Sequence, residues 1–239
     1  MRKLVTAVSL AFLLFSQGAF AQPSIDLVPA LNRLAAFGNA EAIYHLGMAY
    51  HTGSGVKRDP AKALAAFRRA ARLGDPLAAY KLGCYYDGQG AGLIKSDLNV
   101  ALRHKLVAAQ AGYALAQQDS AMIFASKGKF DSALTWLERA AAQGWPDALS
   151  NYASVHNGAP GVPRSKVKTA SYFRLYLGRI DPSETQRAWL EKFERGMTVE
   201  ERKLASEFVR SYRPKPTPLT LKALSGLRAA EELVAEAKR

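Results

Sequence analysis

Apolar residues recur along most of this chain three and four positions apart, the spacing of one helix face. Ala42, Leu46, Gly47 and Tyr50 form one such set, and Ala78, Leu82, Gly83 and Tyr86 repeat it 36 residues later. Fainter copies follow as Ala116, Ser120, Ala121 and Phe124, then as Ala148, Tyr152, Ala153 and His156. Each set predicts a helix, termed A, whose small residues let a second helix approach closely. A second pattern alternates with the first. "KALAAFRRAARLG" (Lys62 to Gly74), "VALRHKLVAAQAG" (Val100 to Gly112) and "SALTWLERAAAQG" (Ser132 to Gly144) predict a helix B. Ala63, Ala101 and Ala133 are equivalent in it, and Phe67 and Leu137 share an apolar position. His104 and Lys105 interrupt the second copy, so that repeat is expected to pack less well. Thr169 opens a fourth helix B, and Val28 to Gly38 supplies a half-copy that caps the array.

The connections recur too. Gly38, Gly74, Gly112 and Gly144 are each followed four residues later by Ala, at glycine spacings of 36, 38 and 32. A left-handed residue that ends a helix is cheapest as Gly, and a period in this range marks a two-helix repeat. "HTGSGVKRDPAKA", from His51, has the small residues and cations of a phosphate loop. Its Gly55-Val56 returns as Gly92-Leu93 and Gly161-Val162, so it reads as the A-to-B turn. Asp59 then caps helix B, with Pro60 in its first turn. No GxxxxGK[ST] motif is present.

These residues resemble the Sel-one-like repeats (SLR), a subfamily of tetratricopeptide-like helical repeats. The first copy stands as "AIYHLGMAYHTGSGVKRDPAKALAAFRRAARLG" and lacks only the family's Trp. The third keeps Trp136 but has a cut-down loop, "SKGKFD"; the fourth keeps Gly161 and Val162 but has Ser165 in place of the Asp. The resemblance covers roughly Ala35 to Leu177. It implies an all-α fold, a right-handed superhelical α-solenoid of helix pairs with C-terminal capping helices.

Beyond Leu177 the period stops. Asp181, Pro182 and Glu184 predict the start of one capping helix, with Trp189, Leu190 and Phe193 on its apolar face. Thr198 and Glu201 form a second capping box, ahead of Leu204, Phe208 and Val209. "RPKPTP" reads as an extended linker. A last amphipathic helix, about Leu219 to Lys238, carries Leu221, Leu224, Leu227, Ala230, Leu233 and Val234 on one stripe. It docks back on the array, or on a second chain or a membrane surface. The expected divisions are thus 1–21 leader, 22–180 repeats, 181–212 capping helices, 213–218 linker and 219–239 terminal helix.

The leader changes the functional picture. Arg2 and Lys3 precede an apolar run, "LVTAVSLAFLLF", and "SQGAFA" ends in a small-residue cleavage pattern after Ala21. This is the form of a secretory signal peptide, and it predicts a periplasmic or secreted protein that is not an integral membrane protein after cleavage. The formal charge is +13 at pH 7, from which loss of Arg2 and Lys3 takes two. Such a charge attracts anionic partners, and export turns the expectation from nucleic acid to acidic proteins, an anionic glycan or lipid headgroups. Lys57, Arg58, Arg164, Lys166 and Lys168, all in or beside loops, are the candidate contacts. Cys84 is the only cysteine, so no internal disulfide forms.

The sequence shows no arrangement for catalysis or a cofactor. His45, His51, His104 and His156 have no metal-ligand spacing, and no catalytic serine or metalloprotease motif is present. In solenoids the A helices commonly line the concave face. Off-stripe positions there are Tyr44, His45 and Met48, then Tyr80, Lys81 and Cys84, then Gln118 and Met122, then Asn151. This row either takes a peptide or packs in part between helices. The resemblance implies a non-enzymatic adaptor that binds a protein or peptide in the bacterial cell envelope. It also brings a second class, since some secreted SLR proteins are associated with β-lactam binding or hydrolysis. Those carry paired cysteines in each repeat, a pattern this chain lacks.

Overall fold

Short polar caps start the first helix pairs. Asn39, Asp59 and Asp75 each accept a hydrogen bond from a backbone N–H three residues on, at 2.7–2.9 Å, and Pro60 and Pro76 occupy first-turn positions where no N–H is needed. The computed structural model describes residues 27–90 and 92–239; the expected leader lies outside them. Among the described residues there are thirteen α-helices, one π-helical turn at Tyr85–Gln89, and no strand.

Helix α1 (Leu27–Ala36) leads into four helix pairs. These are α2 (Ala40–Thr52) with α3 (Pro60–Arg72), α4 (Pro76–Cys84) with α5 (Leu98–Gln110), α6 (Ala114–Ser126) with α7 (Phe130–Ala142), and α8 (Pro146–His156) with α9 (Lys166–Leu177). Each helix packs chiefly on its neighbours in sequence, as in a solenoid. Alanines at equivalent places, among them Ala42, Ala63, Ala78, Ala101, Ala140 and Ala148, are fully buried between helices. Gly83 shows why the family spacing needs a small residue. A Cβ there would lie 3.0 Å from the carbonyl oxygen of Ala101 on the paired helix, a backbone atom that no side-chain rotation can move.

The long A-to-B loops close in one way. The N–H groups of Asp59, Asp97 and Ser165 donate to the carbonyls of Tyr50, Tyr86 and His156, at 2.8–2.9 Å. In the third pair only residues 127–129 join the two helices, and this loop is absent.

Helices α10 (Glu184–Arg195) and α11 (Val199–Ser211) pack on α9. Ala205 is fully buried beside Ala170 and Met197, so α11 lies close on the last repeat. Thr198 and Glu201 form the expected capping box. At α10 the cap is Ser183, not Asp181. The Ser183 hydroxyl accepts from the Gln186 N–H, and the Gln186 side chain accepts from the Ser183 N–H. This S-x-x-Q pairing satisfies two donors reciprocally, which moves the start inward by two residues.

Residues 212–217 carry no helix, as expected of the linker, but they pack on the array, and the single terminal helix is corrected to two. Residues 213–217 lie on the array, held by backbone bonds from Lys215 N–H to the Ala142 carbonyl (3.0 Å) and from Thr217 N–H to Gln143 Oε1 (3.0 Å). Two helices then follow, α12 (Pro218–Ser225) and α13 (Leu227–Glu236), broken at Gly226, whose φ of 56° and ψ of −114° are open to glycine. The break divides the stripe. Ala230 and Val234 are buried, with Leu227 and Leu233 packed beside them, where α13 meets α1 and α2, while Leu221 and Leu224 stay exposed. The chain after α11 is therefore a strap that runs back from the fourth repeat to the first.

Candidate functional site

The row of A-helix residues named by the sequence does not form one surface. Tyr44, His45 and Met48 lie with Leu227 and Ala230 of α13 around a cavity of about 170 Å³. The strap helix thus covers the concave positions of the first repeat. Tyr80 and Cys84 are buried in the second, Gln118 is buried in the third, and Lys81 is half-buried. Packing between helices, the bland alternative, accounts for these. Met122 and Asn151 have a different fate.

Both line an open apolar cleft of about 470 Å³ between the third and fourth repeats, with Phe130, Leu134, Val155 and Val162. Met122 and Phe130 are 52% and 43% exposed, and the Asn151 amide lies 3.9 Å from the Met122 sulfur. Beside the cleft the α6–α7 connection is only three residues long. In the fourth repeat the longer loop does turn back, and its Val162 forms one wall. Phe130, Leu134, Val155 and Val162 were absent from the sequence-based row. The only sequence signal near them was the cut-down "SKGKFD" loop, which holds Phe130.

A second cluster is polar and buried. Lys105 occupies the position that Phe67 and Leu137 take in the neighbouring repeats, and it is only 2% exposed. Its ammonium lies 2.5 Å from both Asp87 on the π-helical turn and Asp119 on α6. The Tyr80 hydroxyl donates to the same Asp119 oxygen at 3.1 Å. The expectation that the second repeat packs less well is therefore corrected: Gly83 leaves room for the lysine stem, and two carboxylates compensate its charge. Burial works against that charge, but the carboxylates outweigh it and hold Lys105 above the ordinary lysine range. Burial also pushes the Cys84 thiol up, away from the thiolate form a nucleophile needs. Cys84, Asp87 and Asp119 do present a sulfur and two carboxylate oxygens within 4.8 Å. The cationic position among the carboxylates is taken by Lys105.

Lys57, Arg58 and Arg164 fall in the A-to-B loops of the first and fourth repeats, while Lys166 and Lys168 lie in the first turn of α9. Arg58 donates to the His51 carbonyl (3.2 Å) and Lys166 to the Gly196 carbonyl (2.6 Å). Arg164 lies against Gly158, and Lys168 sits 5.9 Å from the Tyr152 ring centre. Lys57 is exposed.

Two outcomes are expected from these clusters. Lys105→Met keeps volume but leaves two acids without their cation. It should cost about 3 kcal/mol, seen as a fall in Tm of roughly 6–12 °C for a chain of this size, and Asp87→Asn with Asp119→Asn should restore most of it. A Lys105→Met protein that melts like the parent would contradict the ion-pair account. The second outcome concerns pH. Burial holds His51, His104 and His156 below the ordinary histidine range. The unfolded chain then takes up protons first, so stability falls as pH drops through about 6.5. Thermal melts from pH 7.5 to 5 should show this. His156→Tyr, which places there the residue found at Tyr50 and Tyr86, should reduce the slope. A Tm that is flat or rises on acidification would contradict it.

Comparison with known proteins places this architecture. The Sel1 repeat family model matches residues 40–75, 76–113, 107–145 and 146–175, more than half of the chain. No curated protein matches significantly. Among solved structures, a protective antigen of uropathogenic Escherichia coli with an SLR fold is similar at 25% identity and a TM-score of 0.64, over 89% of this chain and 44% of that one. This chain thus spans less than half the length of that antigen. A Sel1 repeat protein from Oxalobacter formigenes shares the fold at 21% identity and a TM-score of 0.55, over 86% of this chain and 99% of that one. Four matched repeats, in register with the four helix pairs, show that the chain belongs to the Sel1 repeat family.

Proposed function

We propose that this chain is a non-enzymatic adaptor of the bacterial cell envelope, exported by its leader, which holds a partner protein in the cleft between its third and fourth repeats. Sel1 repeats are a scaffold-type fold that often mediates protein interactions. The observation that carries the finer reading is the cleft itself. It leaves Met122 and Phe130 exposed beside Leu134, Val155 and Val162, with one amide, Asn151, at hand. Apolar pockets of this kind take one or two aliphatic or aromatic anchors of a peptide, while a few polar groups fix its direction. Placement outside the cytoplasm rests on the leader-like sequence. The SLR-fold protein of Escherichia coli, a protective antigen, supports it. Among the described residues no helix is long and apolar enough to cross a membrane.

The test uses the full chain in cells, with a photo-crosslinking residue at Phe130 and, as a control, at Val199, which is 76% exposed on α11. One discrete partner should be trapped from Phe130 and not from Val199, in the periplasmic or secreted fraction. Met122→Glu, a surface change with little effect on stability, should lower the trapped yield about tenfold, as loss of a peptide anchor does. Equal trapping at both positions, or a yield that Met122→Glu leaves unchanged, would sink the proposal. So would recovery of the protein in the cytoplasm, or substrate turnover by the purified chain.

A further inference from the structure

Helices α12 and α13 leave one side of the strap uncovered. Pro218, Leu221 and Lys222 on α12 border an open hollow of about 420 Å³. Its other wall is α13, which contributes Ala229, Glu232, Leu233 and Glu236. These four stand at i, i+3, i+4 and i+7, a single helix face. Leu221 is 53% exposed, and Leu224, one turn along α12, is 62% exposed. Exposed apolar side chains rimmed by polar ones mark interaction surfaces. Two helix faces set on either side of a hollow form the kind of groove in which a third helix packs. A second hollow, of about 310 Å³, shares Glu41 and Lys222 with the first and reaches the turn at Leu73, Gly74 and Asp75. Leu73 there is half exposed.

The charge of this surface is opposite to that of the molecule. The chain has 33 Lys and Arg against 20 Asp and Glu, yet the two hollows are lined by the carboxylates of Glu41, Asp75, Glu232 and Glu236 and by one lysine, Lys222. Lys222 is already paired with Glu41, at 2.9 Å. Asp75, Glu232 and Glu236 form no ion pair among the described residues. Burial pushes the Asp75 carboxyl up, as expected of an acid short of cations. His45, 8% exposed, lines the second hollow, and its Nε2 makes no hydrogen bond, with Glu41 Oε1 3.7 Å away. A buried polar group without a partner calls for an explanation, and a polar group of a docked segment supplies one.

We infer that the outer side of α12 and α13, with the hollow beside Asp75, is a docking surface for a basic amphipathic helix of a partner protein. It is separate from the cleft between the third and fourth repeats and does not depend on the occupant of that cleft. The apolar stripe of the docked helix packs on Leu221 and Leu233, and its cations pair with Glu232 and Glu236, which fixes its orientation. Like-charge repulsion turns anionic lipid or glycan away from these carboxylates. A second copy of the chain is a poor source of the helix. The basic helix of this chain, α3, already buries its apolar side, Ala63, Leu64, Phe67 and Ala70, within the array.

The probe is a fluorescent helical peptide of leucines at the i, i+3, i+4, i+7 spacing and lysines elsewhere, titrated with the full chain and followed by anisotropy. The parent should bind it, and Glu232→Lys/Glu236→Lys should weaken binding about tenfold. Leu221→Ser should weaken it by a similar factor. These positions are exposed, so melting temperatures should stay near that of the parent. A peptide of the same composition with its leucines out of helical register should bind about tenfold more weakly. Equal affinity for parent and charge-reversed protein, or for the two peptides, would overturn the inference. Loss of binding in Met122→Glu would assign the peptide to the apolar cleft and overturn it as well. So would a concentration-dependent dimer of the parent that Glu232→Lys/Glu236→Lys abolishes, which would give the surface to a second copy. If a variant does not fold, hydrogen exchange of the parent decides. The peptide should slow exchange in α12 and α13, whereas protection confined to α6, α7 and α8 would contradict the assignment.

Discussion

Gln143 is the residue on which the arrangement of the two ends depends. Its amide donates to the Gly112 carbonyl at 2.7 Å and to Gln117 Oε1 at 2.9 Å, while its oxygen accepts from Thr217 N–H and the Thr220 hydroxyl. Gln117 passes the chain on to the Ala109 carbonyl. Every polar group of this hub is paired, which is the condition for a buried network to add specificity instead of cost. A solenoid is otherwise quasi-one-dimensional, with repeats that touch only their neighbours. Here the hub fixes the strap, and the strap brings α13 onto α1 and α2. The first and last parts of the chain are thereby coupled across the repeats between them.

The same repeat carries different surfaces because small local changes alter what covers it. A seven-residue loop crosses the first pair, at residues 53–59, and three residues cross the third. Beside the shorter connection Met122 and Phe130 are exposed and line the cleft. At Lys105 the change is chemical. A core apolar position has become a cation, and two acids from separate elements hold it in place. A buried ion pair of this kind is weak support for net stability, but it links α5 to both the turn after α4 and the next repeat. The apolar cleft lies between the third and fourth repeats, whereas the strap rests on the turns where the second repeat meets the third and the third meets the fourth.

Much of the repeat architecture was legible in the sequence because it rests on local chemistry. The helix A and helix B stripes, the turn glycines and the Asp59–Pro60 cap all act within a few residues. What was not legible depends on contacts remote in sequence. Nothing near Gln143 says that it is buried, since the residues at the same place before the earlier turns are the exposed Leu73 and Ala111. Thr217 and Thr220 read only as part of a proline-rich joint. The stripe of the last segment is compatible with one long helix, and its division at Gly226 is decided by the surface on which α13 docks. For the candidate site, Met122 and Asn151 were named and reach the cleft. Tyr44, His45 and Met48 were named for a face that the strap covers, an outcome that no periodicity encodes.

The central claim is that the strap couples the two ends through the Gln143 hub. Its most direct test is urea unfolding followed by two probes. Far-ultraviolet circular dichroism reports all the helices, while the three tryptophans, Trp136, Trp145 and Trp189, report only the later part of the chain. In the parent the two curves should coincide in one transition. In Gln143→Leu they should separate, with helix signal lost at lower urea than the tryptophan change as the first repeats unfold alone. Coincident curves in both proteins, with the same midpoint, would contradict the account.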